Sequence, residues 1–106
     1  MSTASGEILA VAVFVPLPGN EEAAMASIRV LMSTLAKRGY SRDFLYRDAK
    51  SHEYVLVRYW KSEQARRDAL EDPELLRCWA ELAHEIKTIK VHETLETVHL
   101  AGAPES

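Results

Sequence analysis

The chain has 106 residues, enough for one domain with a modest hydrophobic core. Its 13 basic and 16 acidic residues are interspersed and give a net charge of −3, so we expect no nucleic-acid partner. No apolar run approaches the roughly 20 residues that span a bilayer, and the N-terminus lacks the basic segment of a secretion signal. Because the single cysteine, Cys78, excludes an internal disulfide, we expect a cytoplasmic protein without a membrane partner.

The first predicted elements are a strand and a long helix. A continuous apolar run at residues 8–15 predicts a strand covered on both faces, and Pro16 ends it. Residues 21–38 follow a helical period that places Ala24, Ile28, Leu31 and Leu35 on one stripe. Acidic residues stand at its start and basic residues at its end, as the helix dipole favours. Gly39 suits the left-handed conformation that terminates a helix.

Two further strands, at residues 41–48 and 53–60, are predicted to form a hairpin around a short turn. A symmetric turn pairs Asp43 with Arg58 and Leu45 with Leu56. Alternation then places one set of side chains on one face of the hairpin: Asp43, Leu45, Arg47, Tyr54, Leu56, Arg58 and Trp60. The opposite face carries Phe44, Tyr46, Val55, Val57 and Tyr59, so both faces hold substantial apolar groups.

The second half of the chain predicts two helices and a last strand. Ser62 caps a short helix that reaches about Leu70. Asp72 caps another, whose core stripe is Leu75, Trp79, Leu82 and Ile86. Residues 89–98 predict the last strand, with Ile89, Val91 and Leu95 on one face.

The order β-α-β-β-α-α-β is typical of an α+β, ferredoxin-like fold with one antiparallel four-stranded sheet and helices on one side. We expect a single domain over residues 1–106, with its core at 8–98 and loose tails at 1–6 and 100–106. The side without helices carries valine and aromatic groups, a patch too large for a monomer to leave in water. We therefore expect a homodimer with twofold symmetry, packed sheet against sheet.

Three stretches resemble the antibiotic biosynthesis monooxygenase domain family, whose members are dimeric α+β barrels. They are Val13-Phe-Val-Pro-Leu-Pro-Gly19, Tyr54-Val-Leu-Val-Arg-Tyr-Trp60-Lys-Ser-Glu-Gln-Ala and Asp72-Pro-Glu-Leu-Leu-Arg. The most specific part is the strand that ends in Trp60, followed by Lys-Ser-Glu and, about twelve residues later, by the aspartate-proline turn. The resemblance covers roughly residues 8–98.

The resemblance implies a cofactor-independent monooxygenase of the antibiotic-biosynthesis or quinol type that acts on an aromatic small molecule. It implies no cofactor, and it places the substrate between sheet and helices near Trp60. Haem-degrading members of the family carry an asparagine on the first strand and a histidine on the last helix. This chain has Ala12 and Trp79 at those positions, so haem degradation is disfavoured.

The catalytic candidates are Trp60, Arg58 and Asp43. The Trp60 indole would stack on a flat ligand, although a buried tryptophan also serves simply as core. Arg58 would steady a phenolate or an anionic intermediate. The alternative is a structural ion pair with Asp43, the only candidate base on the face that carries Trp60.

The substrate-binding candidates are Tyr54, Leu56, Leu45 and Trp79, of which Trp79 also suits the helix core. No metal site is expected, since no two histidines stand at chelating spacing. No histidine stands at helical spacing from Cys78 to activate it, so we expect a packed thiol. The alternative function is a non-catalytic dimeric module that binds a small hydrophobic ligand or a partner, because one fold supports many roles.

Overall fold

The computed structural model describes residues 7–98 and 100, so the tails predicted at 1–6 and beyond 100 lie outside the described residues. Its elements follow the predicted order. The strands are β1 (Ile8–Pro16), β2 (Ser41–Arg47), β3 (Tyr54–Trp60) and β4 (Ile86–Leu95), and the helices are α1 (Glu21–Lys37), α2 (Glu63–Leu70) and α3 (Pro73–Ala83). The fold is α+β, with one antiparallel sheet in the order β2-β3-β1-β4, which confirms the predicted fold class.

Local signals set the boundaries of the helices. The Oγ of Ser62 accepts a hydrogen bond from the Ala65 backbone N–H at 3.0 Å, which satisfies one free amide at the start of α2. Asp72 does the same for α3, whose first residue is a proline with its φ already set for a helix. Gly39 follows α1 with φ +74°, the left-handed conformation predicted for it.

The hairpin register is the predicted one. β2 and β3 pair Asp43 with Arg58 and Leu45 with Leu56, and the Asp48 backbone N–H donates to the Glu53 carbonyl at 2.8 Å across the turn. Because paired residues of neighbouring strands point to the same face, the face that carries Trp60 is continuous across β2, β3 and β1. We call it the helix face, since α1, α2 and α3 pack on it, and the opposite side the open face.

The core lies between the helix face and the helices. Its fully buried side chains are Ile28, Leu31, Leu35 and Leu75, each less than 2% exposed. Phe14, Leu56 and Trp60 join them from the sheet. The predicted stripe of α1 is confirmed: Ala24, Ile28, Leu31 and Leu35 are all buried.

The last strand departs from the prediction. It begins at Ile86 rather than residue 89, because α3 ends at Ala83 and the Leu17 backbone N–H donates to the Glu85 carbonyl, which starts pairing at once. Ile86 follows Leu82 at helical spacing, so periodicity alone extended α3 too far.

The faces of β4 also differ from the prediction. Val91 pairs with Ala12, on the helix face, whereas Leu95 pairs with Leu9, on the open face. An irregularity between the two pairs shifts the register, so these two apolar side chains do not share a face. Beyond Ile86, every residue of β4 is exposed, so the helix layer leaves this strand uncovered.

Candidate functional site

Trp60 ends β3 and is 5% exposed. It pairs with Ile8 of β1 on one side and Ser41 of β2 on the other, and it belongs to the main core cluster. Because the cap of α2 begins only two residues later, the indole lies where the sheet gives way to the helix layer.

Arg58 and Asp43 form a buried ion pair on the same face. Arg58 Nε lies 2.8 Å from Asp43 Oδ2, and the two side chains are only 12% and 1% exposed. The other carboxylate oxygen, Oδ1, accepts a hydrogen bond from the Ser41 Oγ at 2.7 Å. Both oxygens of Asp43 therefore have donors, as a buried carboxylate requires.

The Arg58 guanidinium also lies beside two indoles. Its central carbon is 5.1 Å from the centroid of the Trp60 ring and 6.0 Å from that of Trp79. Both distances suit a cation–π interaction, which is stronger where water is excluded. Among residues 7–98 and 100, no acceptor lies within hydrogen-bond distance of the buried Arg58 Nη2. The structure thus brings Trp60, Arg58, Asp43 and Trp79 together.

Leu56 and Leu45 lie next to this group. They pair across the hairpin; Leu56 is 8% exposed, and Leu45 is half-buried against the core. Both point to the helix face and can contact a ligand that enters near Trp60.

Tyr54 lies at the other end of β3, six residues or about 20 Å from Trp60. Its ring stacks on Phe14 at 5.6 Å, and its hydroxyl donates to Glu21 Oε2 at 2.9 Å. The hydrogen bond to that carboxylate, together with partial burial, raises the pKa of Tyr54 above its ordinary value. The shared face was predicted correctly, but it does not bring Tyr54 to the Trp60 group.

Sequence reasoning overlooked Ser41. The signal was present, because Ser41 stands two residues before Asp43 on the same strand and hence on the same face. It also overlooked the cluster in which Asp72 accepts hydrogen bonds from Arg38 and Tyr40 and joins the end of α1 to the start of α3. These partners are distant in sequence and meet only in the fold.

One surface cleft reaches Asp43 from the β2 edge. It has a volume of about 560 Å³, and its lining includes Ser41, Asp43, Arg42, Phe44 and Tyr59. A second cleft, of about 220 Å³, lies between α1 and α3 and is lined by Ala26, Ser27, Val30, Cys78 and Glu81. Neither cleft is lined by Trp60, Arg58 or Trp79, and Trp60 is 5% exposed, so the indole itself is covered by side chains.

No group of three or more histidine, cysteine, aspartate or glutamate side chains in residues 7–98 and 100 is arranged to hold a metal ion. Burial raises the pKa of the Cys78 thiol, which keeps it protonated and weakly nucleophilic at neutral pH. No helix in the described part of the chain is long and apolar enough to cross a membrane.

Solved structures share this architecture. SnoaB, a cofactor-independent oxygenase from Streptomyces nogalater, superposes with a TM-score of 0.71 over 88% of this chain and 97% of its own, at 20% identity. The chain shares its fold with a cofactor-independent oxygenase. A proposed antibiotic biosynthesis monooxygenase from Chloroflexus aurantiacus matches with a TM-score of 0.70 over 89% of this chain and 96% of its own, at 16% identity.

The same fold occurs in proteins without an assigned role. A conserved protein of unknown function from Bacteroides thetaiotaomicron, described as a possible oxidoreductase, has a TM-score of 0.72 over 85% of this chain and 99% of its own, at 10% identity. No model of a protein family and no curated protein matches the sequence. The fold of the antibiotic biosynthesis monooxygenases is confirmed, and the activity has to be argued from the site.

Proposed function

We propose that the protein is a cofactor-independent monooxygenase of the antibiotic-biosynthesis or quinol type, acting on an aromatic small molecule. The observation that supports this is the buried Arg58 guanidinium beside the indoles of Trp60 and Trp79, in a fold shared with such an oxygenase. Indoles stack on flat rings, and a buried cation stabilises negative charge far better than one in water.

In this reaction the substrate supplies the electrons. Its own carbanion or phenolate reduces oxygen, so the protein needs only to bind the ring, exclude water and favour the anion. Trp60 and Trp79 would stack on the ring, with Leu56 and Leu45 against it. Arg58, although paired with Asp43, would donate a hydrogen bond to the substrate oxygen on which negative charge develops.

Access to the group would come over β1 from the β4 side. Ala10 pairs with Arg58, and Ala12 pairs with Val91, so small side chains form this part of the helix face. Val91 is 50% exposed because the helices do not cover β4. Trp79 is half-buried against the core, so a ring that enters here would contact its indole.

Asp43, the only candidate base, is not free to accept a proton, because its carboxylate accepts hydrogen bonds from Ser41 and Arg58. The substrate would therefore lose its proton to water, helped by Arg58. The rate of oxygen uptake should follow the ionisation of the substrate, so phenols of different acidity should give pH profiles displaced by the difference in their pKa values.

We also propose a homodimer in the cytoplasm, formed through the open face. Phe44 is 41% exposed and Tyr46 58% exposed on this face, and Leu95 of β4, at the opposite edge of the sheet, is 38% exposed. A patch of this kind is characteristic of an interface, and a second copy offers the same patch in return.

The test is oxygen uptake above the rate without protein, measured with a panel of hydroquinones and 1,8-dihydroxyanthrone. We expect uptake that depends on protein and falls at least tenfold in Trp60→Phe, which keeps an apolar ring but loses the indole. Leu70→Ala on α2, where Leu70 is 45% exposed, is the control and should leave uptake unchanged. Uptake that is equal in Trp60→Phe and the unaltered protein would remove Trp60 from the site.

A second candidate function is a non-catalytic dimeric module that binds a small hydrophobic ligand or a partner. The observation that favours it is the filled space around Trp60, together with the fully paired carboxylate of Asp43. A folded, dimeric protein that binds the phenols but consumes no oxygen with any of them would support this function instead.

A further inference from the structure

We propose that Ser41, Asp43 and Arg58 act as one hydrogen-bonded triplet whose free end, Arg58 Nη2, is a subsite for a neutral carbonyl oxygen on the ligand. This inference rests on the proposed ligand site beside Trp60 and specifies what the ligand must carry. A buried guanidinium N–H without an acceptor is costly, and among the described residues none provides an acceptor for Nη2.

The charge balance of the triplet selects the kind of oxygen. Asp43 already neutralises Arg58 at 2.8 Å, so a ligand carboxylate would add an uncompensated negative charge to a buried site. A neutral carbonyl accepts the hydrogen bond from a charged donor without that cost. It also gains stabilisation if negative charge develops on its oxygen during the reaction.

The other two members of the triplet position the donor. Asp43 Oδ2 accepts from Nε, and Asp43 Oδ1 accepts from the Ser41 Oγ at 2.7 Å, so the orientation of the guanidinium depends on both residues. The Asp43 side chain is 1% exposed, which limits competition from water for its oxygens. Asp43 is thus a positioning residue rather than the general base.

The test uses three naphthalenes that differ only in one substituent. They are 2-acetylnaphthalene, with a neutral carbonyl, 2-naphthoate, with an anion, and 2-ethylnaphthalene, with no acceptor. Equilibrium dissociation constants are measured by calorimetry on the full chain. We expect the ketone to bind about tenfold more tightly than the ethyl compound, the increment of one hydrogen bond to a charged donor, and at least as tightly as the carboxylate.

Variants assign the preference to the triplet. In Arg58→Met/Asp43→Leu, which removes the charges together so that neither is left unpaired, the ketone and ethyl compounds should bind equally. Ser41→Ala should reduce the preference for the ketone severalfold without weakening the binding of the ethyl compound. Ser41→Thr, which keeps the hydroxyl, should restore the preference. The control is Ser33→Ala, on the exposed face of α1. If Ser41 had a purely structural role, Ser41→Ala would weaken the binding of all three compounds to the same extent.

Three results would overturn the inference: equal binding of ketone and ethyl compound to the unaltered protein, a preference that survives in the double variant, or no binding of any of the three. Because no turnover is needed, this outcome is separate from that of the proposed function. A ketone preference without oxygen uptake would support the subsite and contradict the oxygenase. Oxygen uptake without a preference for the ketone would support the oxygenase and contradict the subsite.

Discussion

The two faces of the sheet differ in what covers their side chains. On the helix face, Trp60 is 5% exposed, and an ion pair between Arg58 and Asp43 lies beneath the helices. On the open face, Phe44 and Tyr46 remain 41% and 58% exposed. The chain thus buries charge on the face that it covers itself and leaves apolar rings in water on the other. A buried charge suits a ligand site, and exposed rings suit a protein interface.

The largest expected effect comes from breaking the ion pair of the helix face. Arg58→Met leaves the carboxylate of Asp43 buried without its partner, and we expect it to lower the free energy of unfolding by about 3–5 kcal/mol. Urea denaturation measures this change. The Arg58→Met/Asp43→Leu double variant should recover most of the loss, and a double variant as unstable as the single one would show that packing, not charge, holds this face together.

A smaller effect on folding, but a larger one on assembly, is expected at the centre of the open face. Val11 pairs with Val57 and His92 there and is half-buried. Val11→Asp places a charge at the proposed interface, so sedimentation equilibrium should show a monomer where the unaltered protein is a dimer. A mass unchanged by the substitution would argue that this face is not the interface.

The smallest effect is expected at the edge of the helix layer, where Asp72 accepts from Arg38 and from the Glu74 backbone N–H. Burial alone would raise the pKa of Asp72, but these donors outweigh it and hold the pKa below its ordinary value. Asp72→Asn should therefore be less stable than the unaltered protein at neutral pH. Because the carboxylate takes up its proton as the pH falls through this lowered pKa, the difference should shrink below about pH 3.9, the ordinary value.

Thermal unfolding at a series of pH values checks this prediction. The matched control is Glu71→Gln, which removes a carboxylate next to Asp72. Among the described residues, the Glu71 side chain makes no hydrogen bond. A difference between Asp72→Asn and the unaltered protein that stays constant from pH 7 to about pH 2 would mean that the carboxylate charge contributes nothing.

Most of the fold was predictable because its signals are local. The cap at Ser62, the terminator at Gly39 and the alternation of β3 act within a few residues, and the symmetric turn predicted between β2 and β3 paired Asp43 with Arg58. The start of β4 was not predictable in the same way. Ile86 continues the periodicity of α3, and only the end of β1, far away in sequence, makes it a strand residue.

The site was predictable in part for the same reason. Face assignment grouped Arg58, Asp43 and Trp60, but distance along the strand separates Tyr54 from Trp60 by about 20 Å. The approach of Trp79 to Arg58 depends on how α3 crosses the sheet, which no local pattern fixes.

The most direct test of the account asks whether an aromatic ligand binds beside Trp60. The chain has two tryptophans, so Trp79→Phe leaves Trp60 as the only indole reporter. Titration with 1,8-dihydroxyanthrone under argon prevents turnover, and we predict saturable quenching of the Trp60 emission with one site per chain. Emission that stays unchanged at concentrations that support oxygen uptake would contradict a site on the helix face.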